Sequence, residues 1–213
     1  MKRRIEKMRR VRLDRRTFVR LVATGAASLF PDESWAQRTA PAGSVEDVRG
    51  EAYAQTEAER RTLVVAAPLY INDLIGTGMD SRLTLRLGRD TTLRVGAYAR
   101  VIIDRFLVNA GGEITLESGP ILFERPNGSA PAPTQIRSPF ALIAVRGTRF
   151  FAGLSAGVFG VFVERGSVSV SAAGKRVLVR AGQGTNVDHP GAAPTPAAAW
   201  KPERIRTALD SVR

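Results

Sequence analysis

The sequence has 213 residues, of which 44% are hydrophobic and 24% charged, so it can form one domain with a real core and is not a wholly disordered chain. It contains no cysteine, which excludes disulfides, thiolate catalysis and cysteine-ligated metals. The formal net charge is +12, but residues 1–36 hold ten Lys/Arg and four Asp/Glu and so supply +6 of it. The remaining excess is spread out without a basic run, so we do not expect nucleic-acid binding.

Residues 1–36 have the three parts of a secretory signal. A basic start is followed by a short apolar stretch over residues 18–30 and by the small residues Ser34 and Ala36. The apolar stretch is too short to span a bilayer, which needs about 20 apolar residues. We therefore predict export to the periplasm with cleavage after Ala36. An uncleaved signal that tethers the protein to the membrane is the alternative.

Within this signal, Arg15 and Arg16 followed by Phe18 resemble the twin-arginine export motif. The mild hydrophobicity of the stretch that follows suits the same route. The earlier pairs Arg3-Arg4 and Arg9-Arg10 lack the aromatic residue. A basic amphipathic helix lying on the membrane or docking a partner is the competing interpretation of this segment.

Residues 48–190 show short runs in which apolar and polar side chains alternate, separated by Gly, Pro and Asn turn signals. This pattern predicts an all-β domain of about ten to thirteen short strands, arranged as a sandwich or jelly roll, with a β-solenoid as the alternative. Residues 37–47 lack periodicity and are predicted to be a linker. Residues 191–213 are predicted to be a Pro/Ala-rich tail with a short helix, which Trp200 would anchor on the sandwich.

The centre of the domain, residues 141–170, is predicted to contain four strands with two charged turns, 146–150 and 164–167. The residues singled out as a structural turn or a partner-binding site are Arg146, Gly147, Thr148, Arg149, Phe150, Glu164, Arg165 and Gly166. In the structural interpretation, Gly147 permits a positive φ and Phe150 fills the core. In the functional one, Arg146 and Arg149 bind an anionic group, unless they simply pair with Glu164 across the sheet. We expect Gly147→Val to unfold the domain and Arg149→Ala to leave its melting temperature nearly unchanged.

Signals of catalysis are weak. The single histidine, His189, lies at the edge of the tail with no nucleophile beside it in the sequence. Four aspartates are dispersed in turns rather than clustered as metal ligands would be: Asp73, Asp80, Asp90 and Asp104. No glycine-rich phosphate loop precedes a helix. We therefore predict no enzyme activity, no cofactor and no metal site.

Several segments, taken in order, resemble the motifs of the FecR domain family of bacterial periplasmic proteins. They are Tyr70–Thr77, Ser81–Gly88, Asp90–Val95, Glu113–Phe123, Ser138–Pro139, Ala144–Phe150, Val161–Val168 and Val179–Gln183. The resemblance spans about residues 50–187. It implies an all-β periplasmic domain of sensing or scaffolding type. The best known relatives are anti-sigma regulators of iron-siderophore uptake, whose cytoplasmic domain and transmembrane helix we do not expect here.

These observations lead to a prediction of an exported, non-enzymatic protein that binds an envelope protein partner in signalling or regulation. The alternative is a structural or glycan-binding envelope module whose basic β surface faces anionic glycan or lipid. A hydrolase or lectin with a groove that the sequence does not reveal is a third, weaker hypothesis. The sequence does not indicate whether a small molecule binds.

Overall fold

A computed structural model of the protein describes residues 40–107, 111–126, 128 and 133–213. The predicted signal peptide, with Arg15, Arg16 and Phe18, lies outside the described residues.

The described residues form sixteen strands in one continuous hydrogen-bonded system, followed by one helix. The strands are β1 (Gly43–Arg49), β2 (Ala52–Gln55), β3 (Arg60–Thr62), β4 (Pro68–Leu69), β5 (Leu74–Thr77), β6 (Arg82–Leu87), β7 (Thr91–Val95), β8 (Arg100–Leu107), β9 (Gly111–Ser118), β10 (Ile121–Glu124), β11 (Thr134–Arg137), β12 (Leu142–Ser155), β13 (Val158–Ala172), β14 (Lys175–Arg180), β15 (Gln183–Val187) and β16 (Ala198–Ala199). The helix is α1 (Pro202–Asp210). The prediction of an all-β fold with a short C-terminal helix is confirmed, and the strand count exceeds the predicted one mainly through strands of two or three residues.

Two long central strands divide the system into two sheets. The first half of β12 continues sheet I, in the order β3-β2-β5-β8-β9-β11-β12, and its second half continues sheet II, in the order β12-β10-β7-β6-β1-β4. β13 follows β12 through both sheets and pairs with β14 in sheet I and with β15 in sheet II. Every pair is antiparallel except β9 with β11, which is parallel because the chain crosses to sheet II as β10 before it returns.

The hairpin of β12 and β13 bends sharply where it passes from one sheet to the other. Phe140, just before β12, stacks on Phe159 near the start of β13, with ring centroids 4.7 Å apart. The two ends of the bent hairpin therefore meet, and sheets I and II face each other as a sandwich. The hairpin closes through Ala156 and Gly157, whose positive φ angles of 54° and 82° are those of the two-residue turn that suits twisted strands.

The bend replaces the two turns predicted at 146–150 and 164–167, and that prediction is wrong. The chain stays in the ladder through both segments, because Arg146 pairs with Ser167 and Arg149 with Arg165. The first bulge lies in β12, where Gly147 and Thr148 together oppose Gly166 of β13. The second lies in β13, where Glu164 is the extra residue between the partners of Arg149 and Phe150. Such β-bulges bend and twist strands without ending them, so glycine and charged residues here mark a corner in a continuous hairpin.

The core lies between the sheets. One cluster of buried apolar side chains draws on both of them, with Ile103 and Ile143 in sheet I and Leu93 and Phe123 in sheet II, all fully buried. Successive residues of a strand point to opposite faces, so the neighbours of these residues in the sequence reach the outer surfaces. This arrangement confirms the sandwich and disfavours the solenoid.

The outer face of sheet II carries a second, smaller apolar cluster. Leu122, Phe151 and Phe162 point outward and are covered by Trp200 and by the buried side of α1. The Trp200 ring lies 5.4 Å from that of Phe162. The tail therefore packs on the sandwich through Trp200, as the sequence predicts.

The predicted linker at 37–47 is wrong in its second half. β1 begins at Gly43 and pairs with β6 from Gly43 to Arg49. A bulge between Val45 and Asp47 breaks the period of two, so that Val45 and Val48 both face inward at a spacing of three. This spacing hides the strand from a search for alternation.

Candidate functional site

The bulge residues divide into a structural set, which forms the corner, and a charged set. Thr148 and Phe150 are fully buried, and the Phe150 ring lies 5.5 Å from that of Phe123 in the core. Gly147 and Gly166 adopt positive φ angles of 59° and 83°. These four residues form the corner itself and are not available to a ligand through their side chains.

Arg149 lies on the outer face of sheet II between two carboxylates. Its Nη1 donates to Glu124 Oε2 at 3.0 Å and its Nε donates to Glu164 Oε2 at 2.5 Å. All three side chains are about one-quarter exposed. Burial acts to lower the pKa of Arg149, but the hydrogen bonds and charges of Glu164 and Glu124 outweigh it and raise the pKa. The charge of Arg149 is therefore compensated within the protein.

Two further arginines extend this network. Arg165 Nη2 donates to the backbone oxygen of Arg125 at 3.0 Å and lies 3.8 Å from Glu124 Oε1. The Arg125 guanidinium is buried and donates from Nη2 and Nε to Thr91 Oγ1 at 2.9 and 3.1 Å. Burial lowers the pKa of Arg125, partly opposed by the charge of Asp90. Arg149 and Arg165 therefore tie β10, β12 and β13 together, and the buried guanidinium of Arg125 adds a contact to β7.

The structural interpretation therefore accounts for most of the residues singled out in the sequence. The pairing of Arg149 with Glu164, one of the predicted alternatives, is present. The side chain of Arg146 is not among those described. Binding of an anionic partner group at this corner stays a prediction, and Arg149 could take part only by giving up two carboxylates.

Asp73 is a buried polar site that the sequence reading treated as an ordinary turn residue. It is fully buried, forms an ion pair with Arg61, and accepts a hydrogen bond from the backbone N–H of Tyr70 at 2.8 Å. Nearby Thr77 donates to Gly96 O at 2.6 Å and accepts from the Ala99 N–H at 3.0 Å. Both residues belong to the family-like segment Tyr70–Thr77, and their contacts hold the loops on either side of β5 in place.

The described part of the chain shows no metal-binding cluster. No group of three or more His, Asp or Glu side chains there is placed to hold a metal ion. His189 is exposed, and its Nδ1 lies 3.0 Å from the backbone oxygen of the next residue. Among the described helices, none is long and apolar enough to cross a membrane.

A basic strand lies exposed at the surface of the domain. β14 forms one edge of sheet I and pairs only with β13. Arg176, Leu178 and Arg180 point to its outer face, whereas Val179 is buried. The sequence Lys-Arg-Val-Leu-Val-Arg from Lys175 to Arg180 indicates a strand, but only the structure reveals that this strand lies at an edge.

Comparison with known proteins finds a family-model match over part of the chain and solved structures with a similar fold. Residues 73–169 match the family model described as FecR protein. Two crystal structures of a putative anti-sigma factor from Parabacteroides distasonis are similar, each with a TM-score of 0.52 and 14% sequence identity. The likeness covers 64% of this chain and 64% or 63% of those chains. No curated protein matches the sequence significantly.

These findings agree with the resemblance drawn from the motifs, over a shorter range. The family match begins at Asp73 and ends at Ser169, so it includes both bulges and the whole Arg149 network. At 14% identity the structural likeness establishes a shared fold and nothing further. Sequence and structure together therefore define a two-sheet sandwich that matches the FecR family model over residues 73–169.

Proposed function

We propose that this protein is an exported regulator of the cell envelope that acts by binding another protein and not by catalysis. The observation that carries the proposal is the FecR family match over residues 73–169. The fold shared with a putative anti-sigma factor gives it further support. Control of a specific sigma factor is not part of the proposal, because the likeness covers 64% of that chain.

The buried position of the residues in the family-like motifs favours a structural role for those motifs over a reaction site. Asp73, Thr77, Thr148 and Phe150 are all buried, in loop contacts or in the core. A rigid sandwich of this kind presents its faces and edges to partners, and function lies in the sites placed on such a fold. The specificity of this protein should therefore reside in its exposed side chains, outside the buried motif.

Export is the second part of the proposal. The basic start, the short apolar stretch and Ala36 support a signal that directs the protein to the periplasm. N-terminal sequencing of the protein from a periplasmic fraction tests it directly. A chain that begins at Gln37 is the expected result. A cytoplasmic chain that begins at Met1 or Met8 would show that the signal assignment is wrong.

Affinity capture from envelope extracts tests the binding role. The mature protein is immobilised, and bound material is compared at low salt and at high salt. A specific protein partner should stay bound as the Debye length shrinks from about 10 Å at 0.1 M to about 3 Å at 1 M. Material released entirely by salt, rich in lipid or wall polymer, would instead favour the alternative of a structural or glycan-binding module.

A further inference from the structure

Sheet I ends at one edge in β14, which is the longest of the terminal strands in the described structure. The four terminal strands are β3, β4, β14 and β16, and three of them have only two or three residues. β14 has six residues and is joined to the sheet on one side only. Proteins usually shorten or cover such edges, since unpaired backbone groups attract another strand.

The direction of the free backbone groups follows from two hydrogen bonds. Ala181 N–H donates to Gly166 O at 3.1 Å, towards β13, whereas Arg180 N–H donates to the Gln183 side chain at 3.1 Å. Backbone groups of alternate residues in a strand point to the same side. The N–H and C=O groups of Arg176 and Leu178 therefore point away from β13, and in the described structure no other strand pairs with them.

The side chains along this edge define the charge of a suitable partner. Arg176, Leu178 and Arg180 are exposed on the outer face of sheet I, and Lys175 is exposed at the start of the strand. No carboxylate of the described residues forms an ion pair with these three basic side chains. An added strand would place its own alternate side chains opposite this basic, apolar, basic row.

A second copy of the chain is a poor occupant. Antiparallel pairing of β14 with itself around Leu178 would place Arg176 of one copy opposite Arg180 of the other. Like charges directly opposite each other destabilise a strand pair. The row instead complements a strand with acidic residues at the outer positions and an apolar residue at the centre.

We propose that β14 is a strand-addition site for an extended segment of another protein that carries acidic side chains at alternate positions. Backbone hydrogen bonds to Arg176 and Leu178 supply the pairing, and the two arginines select the charge. This site specifies where the proposed binding function would take place, and its physiological role rests on that proposed function. Peptide binding at the edge can nevertheless be measured independently of any natural partner.

The test uses the mature protein and a labelled peptide with the core Glu-Thr-Val-Thr-Glu, compared with its Lys-Thr-Val-Thr-Lys counterpart. We expect the acidic peptide to bind and the basic one to fail. The double variant Arg176→Glu/Arg180→Glu should bind the acidic peptide about tenfold more weakly or worse and should gain affinity for the basic peptide. Unchanged preference in that variant would overturn the proposal.

Backbone pairing is tested with a proline at the outward-facing position. Leu178→Pro removes an N–H that makes no bond to β13, a position where an edge strand tolerates proline. It should weaken peptide binding about fivefold or more, whereas the matched control Leu178→Ala should keep most of it. In hydrogen exchange, the Arg176 and Leu178 amides of the wild-type protein should become protected when the peptide binds. Binding without that protection would contradict strand addition, and this readout does not depend on the proline variant folding.

The outcomes for the β14 site and for the proposed binding function can be distinguished. If the wild-type protein captures a specific envelope protein and the edge variants capture it equally, the binding function stands and the β14 site falls. If the acidic peptide binds as expected but no envelope protein is captured, the edge site stands and the proposed function falls. Binding to phosphatidylglycerol vesicles that is lost on charge reversal, without any binding of the peptide, would identify a lipid-binding patch and overturn the proposal.

Discussion

Arg149 neutralises two carboxylates that come from different strands of sheet II. Its removal would leave Glu124 and Glu164 facing each other with about one-quarter of each side chain exposed. We therefore expect Arg149→Ala to lower the free energy of unfolding by about 1–3 kcal/mol. Two charged hydrogen bonds are lost, Glu164 loses its counter-ion, and Glu124 keeps only Arg165 at 3.8 Å. Urea unfolding of the variant measures this change. The sequence had suggested almost no effect, because it could not show that two acids share this arginine.

Arg86 provides a matched control for that prediction. It also lies in sheet II and pairs with one carboxylate, Glu46, with side chains 39% and 34% exposed. An exposed single pair of this kind contributes about 0–1 kcal/mol. Arg86→Ala should therefore lower stability less than Arg149→Ala, and equal losses would refute a special role for Arg149.

Gly166 and Gly147 should respond differently to the same substitution. Both have positive φ angles, which cost a non-glycine residue about 1–2 kcal/mol. A Cβ on Gly166 would also lie 2.8 Å from Gly147 O and 2.7 Å from Thr148 Cγ2, whereas one on Gly147 meets nothing within 4 Å. Gly166→Ala should therefore lower the melting temperature clearly more than Gly147→Ala. Equal shifts would mean that the corner relaxes around the added methyl group.

The same geometry revises the sequence-based expectation for Gly147. With open space around it, Gly147→Val is expected to strain the backbone without a clash, so that the domain is weakened but still folds. The sequence correctly indicated a residue with positive φ at this place. It could not indicate the free volume, which depends on the partner strand.

At the scale of elements, the bent hairpin of β12 and β13 shows what pattern reading can and cannot achieve. Apolar residues at every second position, Ile143 and Val145 in one segment and Val161 and Val163 in the other, predicted both the strands and their buried face correctly. Arg146 to Phe150 was interpreted as a turn because glycine beside charged residues usually marks one. A bulge has the same local chemistry, and long-range pairing with β10, β11 and β13 keeps this segment in the ladder.

The C-terminal helix depends on one aromatic anchor. Trp200 is 9% exposed and packs on Phe162, and the Arg204 guanidinium lies 3.6 Å from the ring centroid. We expect Trp200→Ala to lower stability by about 3 kcal/mol, near the lower end for buried aromatic residues. It should also loosen α1, which hydrogen exchange of residues 202–210 would measure.

Arg206, an exposed residue of the same helix, is the control for that experiment. Arg206→Ala removes no contact with the sandwich, so it should leave exchange in α1 and the melting temperature close to the wild-type values. If Trp200→Ala unfolds the whole sandwich together with α1, the helix belongs to the cooperative core. Separate loss of α1 would identify a locally unfolding unit.

For the whole molecule, the sequence predicted the class of fold but not its topology. Strand periodicity in residues such as Leu83, Leu85 and Leu87 was enough to indicate an all-β fold, with a sandwich favoured over a solenoid. The parallel pairing of β9 with β11 and the passage of β12 through both sheets depend on contacts between distant segments. Local patterns carry no information about such partners, which also explains why the edge position of β14 could not be predicted.

Export concerns the chain as a whole, and its prediction depends on one pair of residues. If Arg15 and Arg16 form the twin-arginine motif, the double variant Arg15→Lys/Arg16→Lys should hold the protein in the cytoplasm, because that route is defined by the arginine pair. The charge of the segment is unchanged by this substitution. Immunoblots of cytoplasmic and periplasmic fractions measure the outcome.

The control Arg9→Lys/Arg10→Lys, which alters a pair without the following Phe, should be exported normally. Loss of export in both variants would point to a general need for arginine in the basic region, and export of both would assign the protein to a different route.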